Sequence, residues 1–131
     1  MKLEVWQKAI ELYKLIWDTV VERKIDLKLR SQIADAAQSV SSNIAEGYSR
    51  RSLKEYLQHL YISLGSLSEV LSRAVAFRVT DQITEEQFEQ IDILHYEVEN
   101  KLLNLVRSLE KKKDEGTWSD RISDEIAEYN P

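Results

Sequence analysis

The feature that most constrains the fold is a leucine rhythm between residues 53 and 74. Apolar residues return at alternating spacings of four and three: Leu53, Leu57, Leu60, Leu64, Leu67, Leu71 and Ala74. Because an α-helix has about 3.6 residues per turn, this spacing places them all on one helix face. Antiparallel bundles and coiled coils pack along such a seam. We therefore predict a long helix with helical neighbours along its length.

Three further segments show the same period. Apolar spacings of three and four predict a first helix over residues 3–23, a second that begins near Leu29, and another that begins at Thr84. The first has two parallel apolar stripes: Leu3, Trp6, Ile10, Tyr13, Trp17 and Val20, and Val5, Ala9, Leu12 and Ile16. The chain has only 3 Gly and 1 Pro, which leaves little room for the turns of a β fold. We predict an all-α, up-down-up-down antiparallel four-helix bundle.

Acidic charge is concentrated behind the predicted bundle. The formal net charge is −5, and residues 110–131 account for −3 of it. We divide the chain into a four-helix bundle over residues 1–112 and an acidic C-terminal tail over 113–131, where Trp118, Ile122, Ile126 and Tyr129 are spaced for a short amphipathic helix or docking tail. Charges spread through the first fourteen residues exclude the apolar core of a signal peptide or membrane span there. We expect a cytoplasmic protein with no membrane partner.

Residues that could carry chemistry are few. The chain has no cysteine, hence no thiolate nucleophile and no cysteine zinc site. His59 and His95 are preceded at three residues by Tyr56 and Asp92, so neither forms the Glu-x-x-His pair of metal-binding bundles. Glycine-rich phosphate loops and nucleophile elbows do not occur. We predict no catalytic residues, metal or cofactor; a metal-dependent bundle enzyme centred on His59 or His95 is the competing hypothesis.

The segment SVSSNIAEGYSRRS, residues 39–52, is polar for its place between two helices. Ser39, Asn43, Glu46 and Arg50 follow one another at four, three and four residues, so one helix face holds them all. Glu46 and Arg50 are spaced to form an ion pair. The face is either a polar seam that fixes the register between helices or subunits, or a binding groove. Gly47 is predicted to end or kink the second helix.

Two helix starts are predicted from capping boxes. Ser52 precedes Glu55 by three residues, and Thr84 precedes Gln87 by three. Basic residues cluster at the first of these starts, interleaved with tyrosines: Arg50, Arg51 and Lys54. Basic and aromatic side chains together favour single-stranded nucleic acid. The alternative is a solvated helix start.

At these residues the chain resembles a known family, the four-helix-bundle proteins encoded in 23S rRNA intervening sequences, often labelled the S23 ribosomal protein family. The shared motifs are Ser-Asn-Ile-Ala-Glu-Gly at 42–47, Gly-Ser-Leu-Ser-Glu at 65–69, and Leu-Glu-Val-Trp at 3–6. The resemblance covers residues 3–109. Position by position, it falls on Ser39, Ser42, Asn43, Glu46, Gly47, Arg50, Ser52, Glu55, Gly65, Ser66 and Glu69.

The resemblance implies a bacterial bundle that assembles into a barrel-like homopentamer, with a biochemical role that is largely undefined. Gly65 lies inside the leucine-rich helix, where it costs about 1 kcal/mol against alanine, so we expect another backbone to approach it closely across a helix–helix or subunit contact. A related branch, the accessory variability proteins of diversity-generating retroelements, is basic and binds nucleic acid together with a reverse transcriptase. This chain differs from that branch in its negative charge. We expect a non-enzymatic homo-oligomeric scaffold; the alternative is a nucleic-acid-binding accessory protein acting through Arg50, Arg51 and Lys54, with a reverse transcriptase or ribosomal partner.

Overall fold

A computed structural model of the chain describes residues 3–116. Four helices follow one another: α1 (Glu4–Glu22), α2 (Leu27–Tyr48), α3 (Leu53–Val79) and α4 (Glu85–Asp114). Each helix packs against the next, and α1 closes the arrangement against α4. The predicted all-α antiparallel four-helix bundle is therefore confirmed. The greater part of the predicted tail, from residue 117 onward, lies outside the described residues.

Helix starts are set by side-chain caps. Thr84 Oγ1 accepts the N–H of Gln87 at 3.0 Å, and Gln87 Oε1 accepts the N–H of Thr84 at 2.9 Å, which completes the predicted capping box. Ser52 Oγ accepts the N–H of Glu55 at 3.1 Å and so supplies the hydroxyl half of the box predicted there. The positions of these two caps were thus readable from the sequence.

On α1 the two predicted stripes differ in burial. The buried one consists of Val5, Ala9, Leu12 and Ile16, joined by Val20 at the C-terminal end. In the other stripe Trp6 and Tyr13 are half-buried, while Ile10 and Trp17 are 40% and 44% exposed. A bundle of four helices can cover only part of so wide an apolar face. The outer part of α1 therefore carries uncovered aromatic surface.

On α3 the leucine rhythm predicts the core only in part. Leu57 and Leu60 are buried as predicted, but Leu64 and Leu71 are half-buried. Their places in the core are taken by Tyr56, Ser63, Val70 and Phe77. The buried stripe keeps the spacing of three and four to the end of the helix, where Leu67 and Ala74 of the predicted rhythm are again buried. It runs to one side of the predicted stripe, so that Leu64 and Leu71 lie at its edge.

Helix α3 is also long and apolar enough, by length and composition, to cross a membrane. Length and composition alone do not identify a membrane span, because the core helix of a soluble bundle passes the same test. Only 33% of its most apolar window is buried inside the bundle. The outer side of α3 is thus more apolar than the packing of a single chain explains.

Candidate functional site

Polar side chains of α2 and α3 join in a continuous chain of hydrogen bonds between the two helices. Ser66 Oγ donates to Ser39 Oγ at 2.8 Å. The Asn43 amide donates to Ser39 Oγ at 3.1 Å and to the Ser39 carbonyl at 2.9 Å. Asn43 Oδ1 lies 3.0 Å from His59 Nδ1, and since an amide oxygen can only accept, this nitrogen carries the proton. We call Ser39, Asn43, His59 and Ser66 the polar seam.

The polar seam has the geometry of a register device. It crosses the helix pair at two separate levels, through Ser39 with Ser66 and through Asn43 with His59. A slide of one helix by a full turn, about 5.4 Å, would keep the apolar faces in contact but carry these polar contacts beyond hydrogen-bond range. Beneath them, Ser63 is fully buried and its hydroxyl donates to the Val40 carbonyl at 2.9 Å. This contact holds the same two helices together inside the core.

Gly47 is a point of close approach between α2 and α3. A Cβ placed on it would lie 2.9 Å from both His59 Cβ and Tyr56 Cδ1, and 3.2 Å from the Tyr56 carbonyl oxygen. Helix α2 ends at Tyr48, one residue beyond the end predicted at Gly47, and Ser49 caps it with ordinary right-handed angles, so Gly47 does not use the left-handed conformation open to glycine. The residue is small for steric reasons. It makes room for the first turns of α3.

Gly65, in contrast, faces away from the bundle. Among residues 3–116, no neighbouring helix or side chain lies within 4 Å of a Cβ placed there. The expected close approach across a helix–helix contact is therefore wrong for the four described helices, since α2 and α3 approach each other at Gly47 instead. The expected approach across a subunit contact stays a prediction.

Beyond Ser66 the two helices diverge into an open groove of about 270 Å³. Its lining consists of Gln32, Asp35, Ala36, Ser39, Ser66, Glu69 and Arg73. Arg73 Nε donates to Glu69 Oε2 at 2.8 Å, and Arg73 Nη1 donates to Gln32 Oε1 at 2.9 Å. The groove is smaller than the usual ligand pocket of about 300–1,000 Å³. The guanidinium of Arg73 inside it is already hydrogen-bonded to Glu69 and Gln32. Glu69 thus positions a cross-helix contact.

The basic cluster is divided by the structure. The predicted Glu46–Arg50 pair forms, with Nη2 of the arginine 2.6 Å from Oε1 of the glutamate. Arg51 and Lys54 are exposed around the start of α3. Ser42, also exposed, turns its hydroxyl to the Ser39 carbonyl at 3.4 Å. Nucleic-acid contact through this cluster stays a prediction.

Both histidines serve helix contacts. His95 is 4% exposed, and its Nε2 donates to the Leu67 carbonyl at 2.9 Å, so it links α4 to α3 inside the core. His59 belongs to the polar seam. Within residues 3–116, no group of three or more His, Cys, Asp or Glu side chains is placed to hold a metal ion. The metal-enzyme hypothesis gains no support from the described residues.

Sequence analysis missed His59 as the partner of Asn43. One signal for it does exist in the sequence. In an antiparallel helix pair, residues at similar distances from the connection lie opposite one another, and counting outward from residues 49–52 brings Asn43 level with His59. That count requires both helix ends, and the sequence predicted the end of α2 one residue early, at Gly47.

Tyr56 makes the α2–α3 contact sensitive to alkaline pH. Burial raises the pKa of its phenol to about 12, with a smaller contribution from Tyr48, whose ring meets it edge-on at a centroid distance of 6.4 Å. The folded pKa lies above the unfolded value of about 10, so this contribution to stability is complete below pH 10 and is lost as pH rises toward 12.

Through Tyr56, the wild type is expected to lose up to about 2 kcal/mol of its free energy of unfolding between pH 10 and 12. The Tyr56→Phe variant is expected to lack this loss. Urea titrations of both proteins at several pH values across that window measure the difference. Parallel pH curves for the variant and the wild type would contradict the assignment.

Taken together, the fold and the polar seam define an antiparallel four-helix bundle whose most distinctive residues join two of its helices. The chain belongs to the family of 23S rRNA-intervening sequence proteins, whose sequence model matches residues 1–104. A similar solved structure is the crystal structure of a protein with unknown function from the S23 ribosomal protein family of Bacteroides thetaiotaomicron. It is 24% identical, with a TM-score of 0.72, and the match covers 78% of this chain and 97% of that one. At this identity the likeness concerns the fold alone. No curated protein matches the chain.

Proposed function

We propose that this member of the 23S rRNA-intervening sequence family is a non-enzymatic scaffold that acts as a homo-oligomer, with five subunits as the family resemblance implies. The supporting observation is the outer face of α1, where Ile10, Trp17 and Val21 are 40%, 44% and 41% exposed beside two half-buried aromatics. These side chains leave on the order of 300 Å² of apolar surface uncovered on one helix. The largest apolar patch of a soluble monomer is typically about 300–600 Å² and is often functional.

The polar seam supports a structural role over a catalytic one. Its hydroxyl, amide and imidazole groups bond to one another across α2 and α3. Networks satisfied in this way rigidify a helix pair and specify its packing. A rigid bundle with a fixed register is what a repeating assembly requires of its subunit.

The alternative function is a nucleic-acid-binding accessory role. Its support is the pair Arg51 and Lys54, which are exposed where α3 begins. Against it stand the net charge of −5 and the engagement of Arg50 by Glu46. Phosphate binding depends on accumulated positive charge, so the scaffold role is favoured.

Sedimentation velocity of the full chain at micromolar concentration tests the proposal. We expect one sedimenting species much heavier than the 15.3 kDa chain. A species of 15.3 kDa alone would exclude the homo-oligomer.

A further inference from the structure

Helix α3 carries a second seam on its outer side. Residues on this side return at spacings of four and three, and all of them are exposed and uncharged: Tyr61, Gly65, Ser68, Ser72, Val75 and Val79. Ile62, adjacent to the first of them, is 50% exposed, and Val79 is 72% exposed. We call these six residues the outer α3 seam. Its rhythm is that of a helix prepared for knobs-into-holes packing, yet its residues are exposed in this chain, although the Tyr61 hydroxyl donates to Glu110 Oε2 of α4 at 2.6 Å.

Gly65 makes a hollow near one end of that seam. Side chains three and four residues away surround any spot on a helix, and here those to the N-terminal side are the exposed Tyr61 and Ile62. A glycine inside a helix lowers helix stability relative to alanine. Since no other part of the described chain approaches Gly65, no contact within the described bundle compensates for this loss.

Helix α1 also has a row of apolar residues on its outer side. Its outer residues are Leu3, Trp6, Ile10, Tyr13, Trp17 and Val21, which we call the outer α1 seam. Three of these six residues are aromatic, whereas the middle of the outer α3 seam consists of a glycine and two serines. The two seams run from residue 3 to 21 and from 61 to 79, so each is roughly 27 Å long at about 1.5 Å per residue. Charges are absent from both.

The two seams lie on different sides of the molecule. Both α1 and α3 pack against α2 and α4, so they stand diagonally across the bundle and their outer faces point away from each other. A contact between such faces cannot form inside one subunit. The two faces differ, so the contact between them is head-to-tail. Contacts of this kind form a ring when the rotation from one subunit to the next closes.

We propose that the outer α1 seam of one subunit packs on the outer α3 seam of the next, with aromatic side chains seated over the Gly65 hollow. This inference rests on the proposed homo-oligomer and names its interface. Each partner contributes one seam to the contact, on the order of 300 Å² of apolar surface, against about 450 Å² for the apolar share of a standard interface. With polar rim atoms included, both sides together come to about 1,000 Å², the lower bound for a specific interface.

A second copy of the chain is the occupant that this surface favours. One head-to-tail contact covers the outer α1 seam of one subunit and the outer α3 seam of the next, and no residue of either seam is itself charged. The carboxylate of Glu110, beside the outer α3 seam, already accepts a hydrogen bond from Tyr61. The neighbouring charges Glu69 and Arg73 already pair within their own helix at 2.8 Å. The C-terminal tail, with its acidic residues, would cover one seam and leave the other exposed.

Gly65→Leu tests the proposal, because it fills the hollow without touching the bundle. We expect the variant to keep its helical circular dichroism and to sediment as a monomer. Ser31→Leu, which places the same side chain on an exposed position of α2, is the matched control and is expected to leave the assembly intact. Trp17→Asp damages the partner seam and is expected to give monomers as well.

Mixing the two damaged chains separates a head-to-tail contact from a symmetric one. Each retains one sound seam, so Gly65→Leu and Trp17→Asp together are expected to form a one-to-one dimer of twice 15.3 kDa that grows no further. A wild-type monomer would overturn the proposed function itself. An assembled wild type with an equally assembled Gly65→Leu variant would overturn only the interface. If that variant instead leaves residues 117–131 newly open to proteolysis, the tail is the occupant and the proposal is wrong.

Discussion

Replacing Gly47 by alanine is expected to lower the free energy of unfolding by about 1–3 kcal/mol. The sign is informative, because alanine is the better helix former by about 1 kcal/mol and Gly47 lies inside α2. The added Cβ would stand 2.9 Å from His59 Cβ and Tyr56 Cδ1, and neither atom is the free end of a flexible side chain. Helix α3 must therefore move away from α2, which strains the polar seam and the packing below it.

Gly65→Ala is the matched control for this variant. The same substitution there meets no neighbouring atom within 4 Å, so the helix-propensity gain of about 0.5–1 kcal/mol is expected in full. Urea unfolding of both variants in a Trp17→Asp background, at one protein concentration, keeps assembly out of the comparison. Equal stabilisation by the two alanines would mean that α2 and α3 do not approach closely at Gly47.

Leu60→Ala is expected to lower the free energy of unfolding by about 2–5 kcal/mol. Leu60 is 0% exposed and lies in the core stripe of α3. Its truncation removes buried apolar contacts and leaves a cavity that the surrounding helices can close only in part. The expected loss is a large fraction of the stability of a domain of this size.

Leu64→Ala serves as the comparison, because Leu64 follows in the same leucine rhythm but is only half-buried. We expect it to lose about 1–2 kcal/mol, less than half the effect of Leu60→Ala. Chemical denaturation with matched slopes measures both variants. Losses of equal size would contradict the position of Leu64 at the edge of the buried stripe of α3.

The sequence predicted most of the fold because its signals are local. The leucine rhythm, the small number of glycines and prolines, and the cap at Thr84 each depend on residues within a few positions of one another. Such signals determine where helices begin and which way they face. They were sufficient for an antiparallel four-helix bundle.

The errors concern features that depend on how helices meet. Gly47 and Gly65 are alike in sequence terms, each a single glycine in a helical segment, yet one lies against another helix and the other faces away from the bundle. Leu60 and Leu64 likewise share one rhythm, yet only Leu60 is buried, because the buried stripe of α3 runs to one side of Leu64. Tertiary distance decides these cases, and spacing along the chain does not encode it.

The polar segment at residues 39–52 shows both effects. Its shared face was visible from the spacing of Ser39 and Asn43, but the partners that complete the polar seam, His59 and Ser66, come from the next helix. Membership of the family, established over residues 1–104, leaves the role of these residues to physical argument. From their hydrogen bonds we infer that they set the register of the α2–α3 pair.

Native mass spectrometry of the full-length protein tests the central claim most directly, because it counts the subunits of the assembly. The account predicts one dominant species at five times the chain mass of 15.3 kDa. A single species at 15.3 kDa under non-denaturing conditions would contradict it.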